Sequence, residues 1–397
     1  MEQSIKKKIL FVNSVCCGST GKICKDLYDL AEDHGYECCI AYGRGKAPKE
    51  YKTIKIGNQL DIYSHVVKTR LFDFHGFGSK NATKKFLKQL DNFKPDIIHL
   101  HNIHGYYINI EILFNYLKKH SEIKIIWTLH DCWAFTGHCA YYIYSQCEKW
   151  KNDCKQCNYY KEYPKSKKCN SSDNFINKKS IFSGLSNMTI ITPSDWLKEE
   201  VSLSFLRDYP IKVIHNGINI DNFKYTNLQL KDKYNLKDKK LILGVASIWD
   251  SRKGLNDFLE LSKYLNGEYH IVLVGLNGKQ QKELPKNILG IQRTENIDEL
   301  ASWYSEADIL FNPTLEDNYP TVNLEAQACG TPVLAYDSGG TKETLFSTSK
   351  IVKDVNDFLE NLDCINEIKK NYEIHTDKLD AKLLFKQYID LYDELIQ

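Results

Sequence analysis

ILFNPTLEDNYPTVNLEAQACGTPVLAYDSGGTKE, residues 309–343, is the stretch on which the fold turns. Ile309–Pro313 and Val333–Tyr336 read as short apolar strands, and the segment opening at Thr321 reads as the helix between them. Two strands joined through a helix make a parallel pair, because a hairpin turn cannot connect them. Each strand runs into a polar loop, 314–320 after the first and Asp337-Ser338-Gly339-Gly340-Thr341 after the second.

The same alternation extends in both directions along the chain, the signature of parallel α/β architecture. Leu241–Ser247 and His270–Gly275 are further strands upstream of the quoted stretch. Ile9–Val15, Glu37–Tyr42, Asp96–His101, Ile123–His130 and Thr189–Pro193 form an earlier series. Two consecutive series imply two doubly wound domains, 1–212 and 213–375. Val213-Ile214-His215-Asn216-Gly217-Ile218 lies at the join, a strand running into an Asn-Gly turn. A helix over 376–397 carries Leu379, Leu383, Leu391 and Leu395 at near-helical spacing and is expected to pack back on the first domain.

Length and composition agree with this division. A chain of 397 residues exceeds one ordinary core, and 42% hydrophobic with 26% charged residues marks a globular protein. No run approaches the ~20 apolar residues of a membrane span. The apolar Ile9–Val15 reads as a first strand and not as a signal peptide, so the cytosol is the expected compartment. The net charge of +2 conceals an asymmetry: residues 1–212 hold 32 Lys+Arg against 22 Asp+Glu, and 213–397 hold 21 against 29. A basic first half suits either an anionic membrane surface or a phosphate-bearing acceptor, or is simply a solvated Lys-rich surface. No nucleic-acid partner is expected.

Ligands of open parallel sheets bind beyond the carboxyl ends of the strands. Gly18-Ser19-Thr20-Gly21 stands there after the first strand, where small residues let helix N-terminal N–H groups approach an anion. A plain turn explains it equally well. A phosphate-cradling G-x4-G-K-[ST] loop fails, since Cys16 occupies the first glycine position and Ile23 follows Lys22. No G-x-G-x-x-G is present either. Arg252-Lys253-Gly254 follows the first strand of the second domain and suits a diphosphate. Asp317 and Glu325, eight positions apart, can both face a ligand at one helix N-terminus.

Together these motifs resemble the family 4 retaining glycosyltransferases, whose fold is GT-B. The E-x7-E motif of that family stands here as Asp317…Glu325, with Asp in the first place. Gly330-Thr331-Pro332-Val333, Gly339-Gly340-Thr341-Lys342-Glu343, Arg252-Lys253-Gly254, His215-Asn216-Gly217-Ile218 and Ser302–Asp308 match its pattern as well. Trp127-Thr128-Leu129-His130-Asp131-Cys132-Trp133-Ala134-Phe135-Thr136-Gly137-His138-Cys139 is similar to a subgroup of exopolysaccharide, capsule and lipopolysaccharide pathways that includes colanic-acid-type enzymes.

The resemblance implies two Rossmann-like domains facing across a donor cleft. Glu325 would bind the donor ribose and Asp317 the transferred sugar, helped by the backbone of Asn318, Tyr319, Pro320 and Thr321. Arg252 and Lys253 would neutralise the departing diphosphate and so remove the need for a catalytic metal. His130 would face the donor sugar, and Gly18 and Gly21 would close on phosphate or acceptor. The implied enzyme is a retaining hexosyltransferase. It would use a UDP- or GDP-sugar and a glycan or polyprenyl-diphosphate-linked acceptor at the inner face of the cell membrane, with peripheral membrane contact. Two other readings stay open: a non-catalytic sugar-nucleotide-binding subunit, and a GT-B-like sugar-nucleotide isomerase or hydrolase.

An insertion at about 132–169 contains Cys139, Cys147, Cys154 and Cys157 in a Lys- and Tyr-rich loop. Four thiolates suit a tetrahedral structural zinc. Four reduced, unliganded thiols are an equal alternative, and disulfides are disfavoured in the cytosol.

Overall fold

Ile9, Leu10, Phe11 and Val12, consecutive in the first strand, are all fully buried. A strand hidden on both faces must lie inside a sheet covered by helices on each side, which is the environment of a parallel sheet. The computed structural model describes residues 6–346, 348–362 and 374–397. Among them no helix is long and apolar enough to cross a membrane.

The chain divides into two units, Met1–His215 with Phe385–Gln397, and Asn216–Leu384. The first contains β1 (Lys8–Val15), α1 (Gly18–Asp33), β2 (Glu37–Arg44), β3 (Thr53–Lys55), α2 (Gln59–Phe72), α3 (Lys80–Phe93), β4 (Ile97–Leu100), α4 (Ile110–Leu117), β5 (Lys124–Thr128), α5 (Ser171–Phe182), β6 (Met188–Thr192), α6 (Asp195–Ser202) and β7 (Ile211–Val213). Its seven strands run in the order β3-β2-β1-β4-β5-β6-β7, every neighbouring pair parallel.

The second unit contains α7 (Leu230–Lys233), β8 (Lys240–Val245), α8 (Leu255–Leu261), β9 (Tyr269–Val274), α9 (Gly278–Lys282), β10 (Ile288–Ile291), α10 (Ile297–Glu306), β11 (Ile309–Asn312), α11 (Thr321–Ala328), β12 (Val333–Ala335), β13 (Lys350–Ile351), α12 (Val355–Glu360), α13 (Thr376–Leu379) and α14 (Ala381–Leu384). Its parallel sheet has the order β10-β9-β8-β11-β12-β13. Strand order reverses between β1 and β4 in one sheet and between β8 and β11 in the other. Such switch points are where loops diverge and leave room for a ligand.

The division differs from the sequence expectation in two places. The first unit ends at His215, three residues beyond the expected 212. The terminal helix is also not one helix over 376–397. Residues 376–384 stay with the second unit, where the Ile218 and Ala381 N–H groups donate to the Leu379 and Ile218 carbonyls, each at 2.8 Å. A Cβ on Gly217 would lie 2.4 Å from Ala381 Cα, so only glycine admits this approach. The final helix α15 (Lys386–Ile396) joins the first unit and buries Tyr388, Ile389, Leu391 and Tyr392. The Tyr392 hydroxyl lies 2.8 Å from His99 Nδ1, and the Tyr388 hydroxyl lies 3.2 Å from Thr128 Oγ1.

Candidate functional site

In the second unit the loops beyond β8, β11 and β12 are tied to one another. Leu315 N–H donates to the Arg252 carbonyl at 2.7 Å, Ser338 Oγ to the Thr314 carbonyl at 2.8 Å, and Gly340 N–H to the Asp317 carbonyl at 3.2 Å. The β8 loop turns sharply because Asp250 accepts from the N–H groups of Arg252 and Lys253. Gly254 then takes φ +74°, and a Cβ there would meet Pro313 Cγ at 2.5 Å. Glycine is required on both counts.

This scaffold brings the expected cations and carboxylates together. Lys253 Nζ lies 2.7 Å from Asp317 Oδ2 and 3.3 Å from Thr314 Oγ1. Arg252 is held at 2.9 Å by Asp250 and at 3.3 Å by Glu316, which is only 4% exposed. Asp317 Oδ1 also accepts from Tyr319 N–H at 3.2 Å. Asn318, Tyr319 and Pro320 are buried, and Pro320 caps α11 with no side-chain hydrogen bond. Asn323 N–H donates to the Pro320 carbonyl at 3.2 Å, and the Thr321 and Val322 N–H groups ahead of it are suited to an anion.

Glu325 lies one turn into α11, and its Oε2 accepts from the hydroxyl of Tyr304 on α10 at 2.8 Å. Tyr304 is fully buried, so its ring fixes the direction of the carboxylate. Helix α11 is itself held by a buried amide network. Asn312 donates to Asn323 at 2.8 Å, Asn323 to Thr344 at 2.8 Å, and Gln327 to the Thr344 carbonyl at 2.7 Å. Tyr304 and Glu316 were not expected from the sequence. Glu316 stood in the quoted loop, but two adjacent carboxylates do not reveal which one turns inward.

In the first unit His130 lies two residues past β5 and stacks on His101, the rings 5.2 Å apart and 10° from parallel, with His101 Nδ1 2.9 Å from His130 Nε2. Burial pushes the His130 imidazole down to about 4, against the smaller opposing effect of Asp131. It is therefore neutral at pH 7. Beside it His104 Nε2 meets Asp131 Oδ2 at 2.8 Å, and Asp131 Oδ1 accepts from Trp133 N–H at 2.9 Å. Burial raises the Asp131 carboxyl, but the His104 charge and these hydrogen bonds outweigh it and hold the group below its ordinary value. His101, His104, His130, Asp131 and Trp133 all line one small pocket. The signal for His101 and His104 was three histidines within residues 99–104, directly after an apolar run.

Gly18 and Gly21 stand at the carboxyl end of β1. Gly18 has φ +75°, and a Cβ on Gly21 would lie 2.6 Å from the Cys16 backbone. Cys17 precedes α1 without a side-chain cap. Asn13, fully buried, donates to Thr20 Oγ1 at 3.2 Å and accepts from Asn102 N–H at 3.2 Å, so the loops of the β1–β4 switch point are linked.

The four insertion cysteines do not form a preorganised tetrahedral set. No three of their sulfur atoms lie within 4.8 Å of one another. Cys154 Sγ accepts from Gly137 N–H at 3.1 Å, and the hydrogen bond between Cys139 and Cys157 pushes the Cys157 thiol down and the Cys139 thiol up. As placed, these residues do not fit the structural zinc. Buried Lys178 ties the insertion to its surroundings: its Nζ donates to the Trp133 and Thr136 carbonyls at 2.7 and 3.0 Å and lies 3.5 Å from the Trp133 ring centroid.

A family model described as Glycosyltransferase Family 4 matches residues 21–222, and one described as Glycosyl transferases group 1 matches residues 239–366. The putative colanic acid biosynthesis glycosyl transferase of Escherichia coli is 25% identical over 344 residues, which cover 83% of this chain and 82% of that protein. The solved sucrose-phosphate synthase from Thermosynechococcus elongatus superposes with a TM-score of 0.72 at 14% identity, over 98% of this chain and 99% of that one. Anabaena HepE in complex with UDP-glucose superposes with a TM-score of 0.63 at 14% identity, over 98% and 99%. These structural likenesses show that the fold is GT-B.

Proposed function

The chain belongs to glycosyltransferase family 4, and from that premise we propose that it transfers a hexose from a UDP- or GDP-sugar with retention of configuration. The acceptor is a glycan or polyprenyl-diphosphate-linked glycan of cell-surface polysaccharide synthesis, at the cytoplasmic face of the membrane. The colanic acid relative supports the pathway, and UDP-glucose in HepE supports the donor class. One observation carries the reading: Arg252, Lys253, Asp317 and the first turn of α11 converge at the β8–β11 switch point.

The roles follow from the chemistry of those groups. The diphosphate takes the positive charge of Arg252 and Lys253 and the N–H groups at the start of α11. Glu325, aimed by Tyr304, accepts from the ribose hydroxyls, and Asp317 accepts from the transferred sugar. As the glycosidic C–O bond breaks, charge grows on the phosphate oxygen. Preorganised cations there stabilise the transition state more than the ground state, so no metal is needed. The acceptor hydroxyl attacks from the face the phosphate leaves and gives its proton to that phosphate, so no protein nucleophile is assigned. His130 supplies a neutral hydrogen-bonding group to the sugar.

The test is incubation with a panel of UDP- and GDP-sugars and lipid-linked acceptors. The expected product is a new glycoside with the donor's anomeric configuration. Inversion, or free sugar or an isomer without acceptor transfer, would overturn the reading. A product formed equally well by Glu325→Ala would overturn the site.

A further inference from the structure

We propose that the first unit reads a negative charge on the acceptor: Arg44, Tyr106 and Tyr163 hold the oxyanion of an acidic sugar, a hexuronate carboxylate or a sugar phosphate, in preference to a neutral sugar. That this sugar is the acceptor rests on the transferase reading; the binding itself does not.

Arg44 is the last residue of β2, in register with Val15 of β1 at the carboxyl edge of the sheet. From there its side chain reaches over β1 to the loop that follows β4. A Cβ on Gly105 would lie 3.3 Å from Arg44 Nη2 and 3.2 Å from Ser14 Cβ, and one on Gly43 would lie 2.1 Å from Tyr107 Cβ. Two glycines thus let the β4 loop settle over β1 and β2. The guanidinium stands at the β1–β4 switch point, where open parallel sheets receive ligands. The Tyr106 ring lies over it, its centroid 5.8 Å from Arg44 Cζ. Tyr106 is held at φ +73°, a left-handed conformation that a bulky residue adopts only where its surroundings impose it. The hydrogen bond from Gly105 N–H to His75 Nε2, at 3.1 Å, fixes the residue before it.

The fold makes no use of this arginine. Its side chain forms no ion pair and donates no hydrogen bond among the described residues, and its Nε is buried. A partly buried cation that serves the fold is ordinarily paired, because desolvating a charge is costly without a partner. The Tyr106 hydroxyl likewise has no hydrogen bond among the described residues. Burial raises the Tyr106 phenol while Arg70 and Arg44 oppose it, so both cations lie near that hydroxyl. The Tyr163 phenol is raised by burial, with Tyr106 and Asp131 adding and Arg44 opposing, which puts it in the same space. Asp131 is already engaged by His104 at 2.8 Å and by Trp133 N–H at 2.9 Å, so it does not neutralise Arg44. An unpaired planar guanidinium beside phenol hydroxyls is a donor set that carboxylate and phosphate oxygens fit. Tyr163, 47% exposed, adds the aromatic face that small-ligand sites set beside their few polar groups.

The test is a ligand-detected NMR titration of the full chain, with UDP present, using glucuronic acid, glucose 6-phosphate, glucose and inorganic phosphate. One of the two acidic sugars is expected to bind roughly tenfold or more tightly than glucose, and whichever does so names the oxyanion. Arg44→Ala should erase that preference. Arg44→Lys should keep part of it, because lysine retains the charge and loses the planar fork. Tyr163→Ala should weaken charged and neutral sugars by a similar factor. The Arg44 side chain makes no hydrogen bond or ion pair within the fold, so the unfolding midpoint of Arg44→Ala should be nearly unchanged. Three results would overturn the proposal: equal binding of charged and neutral sugars by the native chain, a preference that survives Arg44→Ala, or inorganic phosphate bound as tightly as the preferred acidic sugar. UDP binding, measured separately, reports on the donor site, so its failure would count against the transferase reading alone.

Discussion

Lys253 and Asp317 hold each other at 2.7 Å, although the proposed function gives one to the donor's diphosphate and the other to its sugar. The pair keeps each charge in place near the other, and both are only partly exposed. A bound donor has to replace or share this contact, so the lysine's worth is realised where leaving-group charge develops. Lys253→Ala should lower kcat by about 10²–10³-fold, the usual loss for one preorganised donor. Steady-state transfer kinetics check this. A change confined to KM would instead assign Lys253 to ground-state binding.

Glu325 and Tyr304 form the second relationship to test, through the 2.8 Å hydrogen bond that aims the carboxylate. Glu325→Ala should raise the donor KM more than it lowers kcat, because the ribose stays chemically unchanged during transfer. Tyr304→Phe keeps the buried ring and removes only the hydroxyl. It should weaken donor binding by about 1 kcal/mol, close to fivefold. Steady-state transfer kinetics separate the two effects of Glu325→Ala, and calorimetric titration with the nucleoside diphosphate measures the loss in Tyr304→Phe.

Gly254 is the backbone pivot of the Arg252–Lys253 loop. Gly254→Ala forces a non-glycine residue to φ +74° and drives a methyl into Pro313. Left-handed strain and overpacking together should cost about 2–4 kcal/mol. Chemical denaturation should register that loss. Gly267→Ala, with nothing within 4 Å of its Cβ, serves as the control and should change little.

The first unit should be acid-sensitive because burial keeps several histidines neutral. His65 and His130 are pushed down to about 4, and His75, His99 and His101 lie well below the ordinary range. Unfolded, each would bind a proton near pH 6.5. Their stabilisation is complete above that value and is lost as pH falls from 6.5 toward 4, since the unfolded chain then binds more protons. The unfolding midpoint should drop across this window, with net proton uptake on unfolding near pH 5.5, above the carboxylate range. No uptake there would contradict the buried neutral histidines.

Strands with continuous apolar runs were legible from the residues, to within a few residues at their ends. β3, β10 and β13 were not, and all three are sheet edges of two to four residues. An edge strand is covered on fewer sides, so its sequence lacks the unbroken apolar run of an interior one. The arrangement of the four insertion thiols was hidden for a related reason. Spacing shows that four thiols are near in sequence, whereas sulfur-to-sulfur distance depends on how the whole insertion packs around Trp133 and Lys178.

The sequence by itself determined the α/β class and the two-unit plan and singled out Arg252, Lys253, Asp317 and Glu325 as candidates, because periodicity and loop motifs are local properties of the chain. Only the tertiary structure decided that α15 returns to the first unit, that Glu316 and Tyr304 aim Arg252 and Glu325, and that His104 pairs with Asp131. Those partners are 21 to 64 residues apart along the chain. Contacts at such separations are set by how strands order in a sheet and helices pack on it, which no local pattern encodes.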